Sequence, residues 1–369
     1  MVDSVPDVRF VVHHRDRRAR LATFHLPVRQ FATPVFMPVG TRGMVRLFPA
    51  DLLEALGYEV MLSNTYHLML RPGDDVVASL GGLHRFNGWD RAILTDSGGF
   101  QVMSLGASVS EAGARFKSVY DGSTHLLTPE GATEVQERLG ADIAMVLDVC
   151  TMLPADSATI DRHLALTHRW AARARKAKSD PNQAQFGIVQ GGTDHQRRAE
   201  SVEAITDIGF EGYAIGGLAV GEARSLTLET IDATTAALPE DRPRYLMGVG
   251  DPYTVAHAIG LGIDMFDCVA PSRLARHGLA LTSSGQVSVK QARFRQEDAP
   301  LDGDCPCDTC RRYPVALLNH FFKVDPQTLG ALLTRHNLTF MKRLVDDARA
   351  AIVAGTYPSF LQAIDQIWT

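Results

Sequence analysis

The chain has 369 residues, 45% of them hydrophobic and 21% charged, with a formal net charge of −5. That is enough apolar material for a large core in one domain or two, and no apolar run approaches the ~20 residues a membrane span needs. The acidic balance excludes a uniformly basic nucleic-acid binder, so contact with nucleic acid would have to come from a local basic patch.

The N-terminal stretch carries Arg15, Arg17, Arg18 and Arg20 and no apolar run, so a secretory signal is not expected. Five cysteines, three of them crowded into Cys305 to Cys310, point to a metal in a reducing compartment, hence the cytoplasm, and not to disulfides.

Residues 8–33 alternate apolar and polar side chains and predict a β-hairpin ahead of the main fold. Eight apolar, strand-like runs follow: Pro34–Val39, Tyr58–Ser63, Ala92–Thr95, Ala144–Leu147, Ala184–Val189, Gly212–Ile215, Arg244–Val249 and Asp264–Phe266. Helical patterns lie between them. Thr128-Pro129-Glu130 reads as a cap, an N1 proline and an acidic first turn; Asp156, Asp194, Ser225 and Asp251-Pro252 open further helices. Eight strands alternating with helices predict a (β/α)8 TIM barrel, with a doubly wound open sheet as the competing architecture.

Two stretches break the rhythm. Residues 100–127 predict a hairpin turning at Asp121-Gly122. Residues 277–336 follow the last strand and predict a second hairpin, Leu279–Thr282 with Gln286–Val289, and then the cysteine cluster. Leu338, Met341, Val345, Ala348 and Ile352 then repeat at helical spacing, and a short helix from Ser359 to Ile367 follows. One domain over 1–369 is expected, with a metal-binding subdomain at about 277–340 packed on the C-terminal helices.

In a barrel, chemistry sits where strands end. Here the strand ends offer Asp96-Ser97-Gly98-Gly99-Phe100-Gln101, Asp148, Gln190, Gly216-Gly217-Leu218, Met247-Gly248 and Asp267. Three carboxylates and a carboxamide would converge on one pocket. Two Asp can divide nucleophile and acid/base roles, and a third with Gln and backbone amides could read a base edge. Phe100 and Met247 could face a planar ring. Taken singly, an Asp after a strand is more often a turn former or helix cap, and Asp251 before Pro252 is better read as a cap. Only the joint occurrence at successive strand ends favours a site. Asp267 alone could be nucleophile, general base or cap.

Cys305-Pro306-Cys307-Asp308-Thr309-Cys310 is C-x-C-x2-C, a soft-metal pattern that needs a fourth ligand. His336 is the candidate, with His320 and His277 as rivals. A Cys3His set would hold a structural zinc, pinning the insert to the C-terminal helix. Arg273, Arg276, His277, Lys290, Arg293 and Arg295 cluster after the last strand, and such a patch beside an active mouth fits phosphate contacts. A base that undergoes chemistry must be flipped into a pocket, and this one suits a purine.

Together, Asp-Ser-Gly-Gly-Phe-Gln, Gly-Gly-Leu-Ala-Val-Gly-Glu, Tyr-Leu-Met-Gly-Val-Gly, Asp-Met-Phe-Asp-Cys-Val, Ser63 to Leu68 and the three-cysteine motif with its later His resemble the bacterial tRNA-guanine transglycosylases, the queuine tRNA-ribosyltransferases. The resemblance runs from about Phe10 to Tyr357. It implies a zinc-containing TIM barrel that exchanges the wobble guanine of tRNAs with GUN anticodons. Asp267 would attack ribose C1′ to give a covalent tRNA–enzyme intermediate, and Asp96 would act as general acid/base. Asp96, Ser97, Phe100, Asp148, Gln190, Gly216, Gly217, Leu218 and Met247 would line the base site, with Glu222 orienting the Leu218–Ala219 peptide. Gly248, Val249, Gly250, Asp251, Pro252, Tyr253 and Thr254, with Ser272, Arg273, Leu274, Ala275 and Arg276, would contact tRNA. Cys305, Cys307, Cys310 and His336 would hold zinc, and the protein would be a homodimer.

Three departures matter. Val149 stands where many bacterial members have Glu, which bears on base-edge bonding. The segment from Ser272 to Gly278 differs from the commonest bacterial version. Val220 beside Cys150 resembles the type that takes 7-aminomethyl-7-deazaguanine (preQ1); a smaller residue would suggest queuine. The archaeal branch carries extra C-terminal RNA-binding domains, and a chain ending soon after the metal region is not expected to belong to it. The rival classes are a zinc-dependent barrel hydrolase, which would need His ligands at strand ends, and a non-catalytic RNA-binding subunit, which should lack the catalytic Asp.

Overall fold

The computed structural model describes residues 8–151 and 155–368. The ends of the expected domain, residues 1–7 and 369, lie outside the described residues, as do 152–154.

Eight parallel strands close into a barrel in chain order: Val35–Gly40, Val60–Ser63, Ala92–Thr95, Ile143–Met145, Ala184–Val189, Gly212–Ile215, Arg244–Leu246 and Met265–Cys268. The eighth pairs with the first, Met265 beside Val35 and Asp267 beside Met37, so the sheet has no free edge and the open-sheet alternative fails. Covered by helices outside and side chains inside, these strands read as unbroken apolar runs; every residue of Ala184–Val189 is buried. Each expected strand is present, with its limits moved by a few residues.

Most helix starts follow the sequence; the helix expected from Ser225 begins one residue earlier, at Arg224, after Ala223 and without a side-chain cap. Asp156, Asp194 and Asp251 accept the amides of Thr159, Arg197 and Thr254 and start Ser157–Ala177, His195–Ile208 and Pro252–Gly260. Four six-residue helices, Thr65–Leu70, Asp74–Ser79, Gly82–Asn87 and Gly99–Ser104, are too short to leave a periodic signal.

The N-terminal hairpin proves to be a three-stranded antiparallel sheet, Arg9–Asp16, Ala19–His25 and Gln30–Thr33, whose third strand is only four residues long. It covers the N-terminal face of the barrel. Phe24 meets Phe186 edge-on at 5.8 Å. Fully buried Arg20 grips Asp264, just ahead of strand eight, with Nε at 2.8 Å and Nη2 at 2.6 Å. Arg29 pairs with Asp142, just ahead of strand four, at 2.9 Å.

The insert after strand three is likewise a three-stranded sheet, Ser108–Ser110, Gly113–Lys117 and Thr124–Leu127, turning at Asp121-Gly122 as expected. After strand eight, Ala270–Arg276 is a helix with Pro271 in its first turn. The hairpin Leu279–Thr282 with Gly285–Ser288 follows. The helix expected around Leu338 begins earlier, at Pro326, and runs to Ala354, and Tyr357–Ile367 completes the C-terminal pair. Among the described residues no helix is long and apolar enough to cross a membrane.

Candidate active site

Asp96 follows the third strand and is held by the neighbouring strand's exit. Its Oδ1 accepts the Thr65 amide at 3.0 Å and the Gly98 amide at 3.1 Å, and its Oδ2 accepts Asn64 Nδ2 at 2.5 Å. Burial and the charge of Asp267 push its pKa up to about 7 despite these three donors. A carboxyl poised there can give and take a proton near neutral pH.

Asp148 lies at the exit of strand four, 5% exposed, and its Oδ2 accepts Gln190 Nε2 at 2.7 Å. Burial raises its pKa to about 6, against the opposing Gln190 bond. The glycines around it have steric reasons. A Cβ on Gly99 would come within 2.8 Å of Asp148 Oδ1, and a Cβ on Gly217, which has φ +67°, would come within 2.3 Å of Gln190 Oε1. The exits of strands three, four, five and six are therefore packed closely together, with the Asp148–Gln190 hydrogen bond joining strands four and five.

Asp267 is the penultimate residue of strand eight, and its Oδ1 accepts Tyr245 Oη at 2.5 Å and the Gly248 amide at 2.7 Å. Burial raises its pKa, and these two bonds oppose the rise. Tyr245, on strand seven, feels the charges of both Asp267 and Asp96, so the two carboxylates share one neighbourhood. Gly216, Leu218 and Ser97 are buried, Met247 is half-buried, and Phe100 is 51% exposed at the start of its short helix. Glu222 accepts the Ala219 amide at 2.5 Å and the Val220 amide at 3.1 Å, so it fixes the Leu218–Ala219 peptide. Val149 packs in an apolar cluster with Tyr66, Leu147 and Leu166. A non-polar residue there suits a side chain directed into the core.

A family model described as queuine tRNA-ribosyltransferase matches residues 16–368. The chain belongs to the queuine tRNA-ribosyltransferase family. As a member of it, the protein is a transferase. It is 49% identical to the queuine tRNA-ribosyltransferase of Cereibacter sphaeroides, over 94% of this chain and 93% of that one. It is 48% identical to those of Solidesulfovibrio magneticus, over 95% of both chains, and of Gluconacetobacter diazotrophicus, over 98% of this chain and 94% of the other.

In this family member, the two segments expected to contact tRNA are less accessible than their sequences suggest. Gly248, Asp251 and Arg273 are exposed, and Tyr253, Leu274 and Arg276 are half-buried. Val249, Gly250, Pro252, Thr254, Ser272 and Ala275 are buried, so the exposed residues of these segments offer the accessible side chains. Val249 is part of the main core, and Gly250 lies so close to Cys268 that a Cβ would come within 2.3 Å of it. Asp251 is spent as a helix cap.

The metal centre assembles as the spacing predicts. The ligand atoms of Cys305, Cys307, Cys310 and His336 all lie within 4.8 Å of one another, and all four residues are buried. His336 Nε2 donates to the Leu281 carbonyl at 2.8 Å, which leaves Nδ1 facing the thiols, 3.3 Å from Cys310 Sγ. The rivals His277 and His320 are exposed and outside the cluster. This donor set suits a closed tetrahedral metal ion. Next to His336, Asn337 accepts the Leu281 amide at 2.9 Å and donates to the Pro271 carbonyl at 2.9 Å. The metal region is thereby tied to the helix that directly follows strand eight, the strand that carries Asp267.

The sequence reading missed Tyr245 as the partner of Asp267, although it opens the Tyr-Leu-Met-Gly motif. It also missed that Asn64 and Thr65 serve Asp96.

Proposed function

We propose that this protein exchanges the wobble guanine of GUN-anticodon tRNAs for preQ1 through a covalent Asp267–ribose intermediate. The reading rests above all on two half-buried carboxylates, Asp96 and Asp267, the charge of Asp267 raising the pKa of Asp96, beside a polar set suited to a purine edge.

Two donors hold Asp267 Oδ1, which leaves Oδ2 to attack ribose C1′. The C1′–N9 bond breaks as the C1′–O bond forms, and N9 of the departing guanine takes the proton of Asp96. The incoming base gives its N9 proton to Asp96, and N9 displaces the Asp267 carboxylate. Asp148 would accept the N1–H and 2-amino groups. Gln190 and the Gly217 amide would serve the carbonyl oxygen, and Phe100 and Met247 would flank the ring. The preference for preQ1 over queuine rests on the resemblance at Val220 and Cys150.

Cys305, Cys307, Cys310 and His336 would hold a structural zinc ion, as a closed thiolate-rich set does. It would brace residues 277–340 as a subdomain on the C-terminal helices within a single domain. Exposed Arg273, with Gly248 and Arg276, would contact tRNA phosphates. The protein would act as a homodimer in the cytoplasm, where five free cysteines stay reduced.

Incubation with labelled guanine and GUN-anticodon tRNA should place label in the tRNA. Asp267→Asn should abolish both incorporation and the denaturant-stable tRNA adduct while tRNA still binds. Turnover retained in that variant would remove Asp267 as the nucleophile.

A further inference from the structure

Arg198, on helix His195–Ile208, is fully buried, and among the described residues no carboxylate pairs with it. Its guanidinium instead binds three main-chain carbonyls: Gly192 through Nε at 2.8 Å, Val189 through Nη1 at 2.9 Å and Gly216 through Nη2 at 2.8 Å. Burying a cation against carbonyls alone is costly, and burial lowers its pKa to about 10 although the charge of Glu222 opposes this. A smaller neutral donor could tie two loops together at less expense.

What the guanidinium fixes is peptide polarity. A trans peptide is planar, so its C=O and N–H point in opposite directions. With the Gly216 carbonyl turned to Arg198, the Gly217 N–H must turn the other way, and among the described residues no protein acceptor takes it. The Gln190 side chain packs against the same two glycines. A Cβ on Gly216 would come within 2.7 Å of Gln190 Nε2, and one on Gly217 within 2.3 Å of Gln190 Oε1. The Gln190 amide in turn donates to Asp148. The Val189 carbonyl, which Arg198 also holds, belongs to the peptide that carries the Gln190 nitrogen. One buried cation thus anchors both elements that present donors beside Asp148.

We propose that Arg198 is a positioning residue for base recognition, keeping the Gly217 N–H turned into the barrel mouth where it meets the carbonyl oxygen of the bound purine. This rests on the base-exchange reading above.

The test compares guanine with 6-thioguanine, which keeps the N1–H and 2-amino donors but carries a weak acceptor in place of the oxygen. Their inhibition or dissociation constants are measured on wild type, Arg198→Met and Arg198→Lys, with the KM for tRNA and the melting temperature. Wild type should prefer guanine by about tenfold or more. In Arg198→Met the preference should fall to about two- or threefold, because guanine weakens and 6-thioguanine does not. Arg198→Lys should lie between, since a single ammonium cannot span three carbonyls. The KM for tRNA should stay within about twofold. A merely structural Arg198 would lower the melting temperature and leave the preference intact; that outcome overturns the proposal. If Arg198→Met does not fold, an unchanged preference in Arg198→Lys overturns it equally. Wild type that binds neither base would instead defeat the base-exchange reading.

Discussion

Asp148→Asn separates what a buried carboxylate costs the fold from what it does for the site. Asp148 is 5% exposed, and its Oδ2 accepts a hydrogen bond from Gln190. Burial raises its pKa from the ordinary 3.8 to about 6. The folded chain therefore holds this proton more tightly than the unfolded chain. The stability linked to it is fully present below pH ~4 and is lost as the pH rises through ~6. A rise of roughly two units corresponds to about 3 kcal/mol. Asparagine is nearly isosteric and does not ionise. The variant should gain up to about 3 kcal/mol over wild type at pH ~8, and about half of that at pH ~5. Urea unfolding of both proteins at both pH values, followed by tryptophan fluorescence, measures the difference; any pH effect on the metal site is common to the two proteins and cancels. The same variant should raise the guanine KM at least about tenfold, because a charged acceptor for two N–H groups is gone. A loss of stability that is equal at both pH values would show that the buried charge is well compensated, and would refute the reasoning.

Cys307→Ala should lower zinc content and melting temperature together, because three remaining ligands close the site poorly and metal binding is coupled to folding. A normal melting temperature in metal-free variant protein would count against a structural ion. Arg20→Ala leaves Asp264 buried and without its guanidinium, and should cost about 3–5 kcal/mol in urea unfolding. A loss below about 1 kcal/mol would mean that the N-terminal sheet is held on the barrel by its apolar contacts alone.

Much of this protein is legible in its sequence because the relevant signals are local. Eight apolar runs separated by capped helical patterns specify the barrel, since a strand buried on both faces must be apolar and a helix start needs an oxygen acceptor. The C-x-C-x2-C spacing specifies a metal site within a few residues. The carboxylates at successive strand ends become a site once strand order is known, because a closed barrel brings its exits to one mouth. The short helices, the third strand of the N-terminal sheet, the strand Ser108–Ser110 and the helix at Ala270–Arg276 escaped because a few residues leave too little periodicity to read.

What the tertiary structure alone decided concerns pairs far apart in the chain. His336 outranks His320 and His277 only because the long helix from Pro326 carries it onto the thiols and Leu281 fixes its ring. Val249, Pro252 and Thr254 are buried, which their resemblance to an RNA-contacting segment does not reveal. Asp96 answers to Asn64 and Asp267, Asp148 to Gln190, and Gly217 to Arg198 through the Gly216 carbonyl. Periodicity and spacing are properties of neighbours along the chain. Burial, proton affinity and the direction of a peptide N–H depend on atoms that only folding brings close.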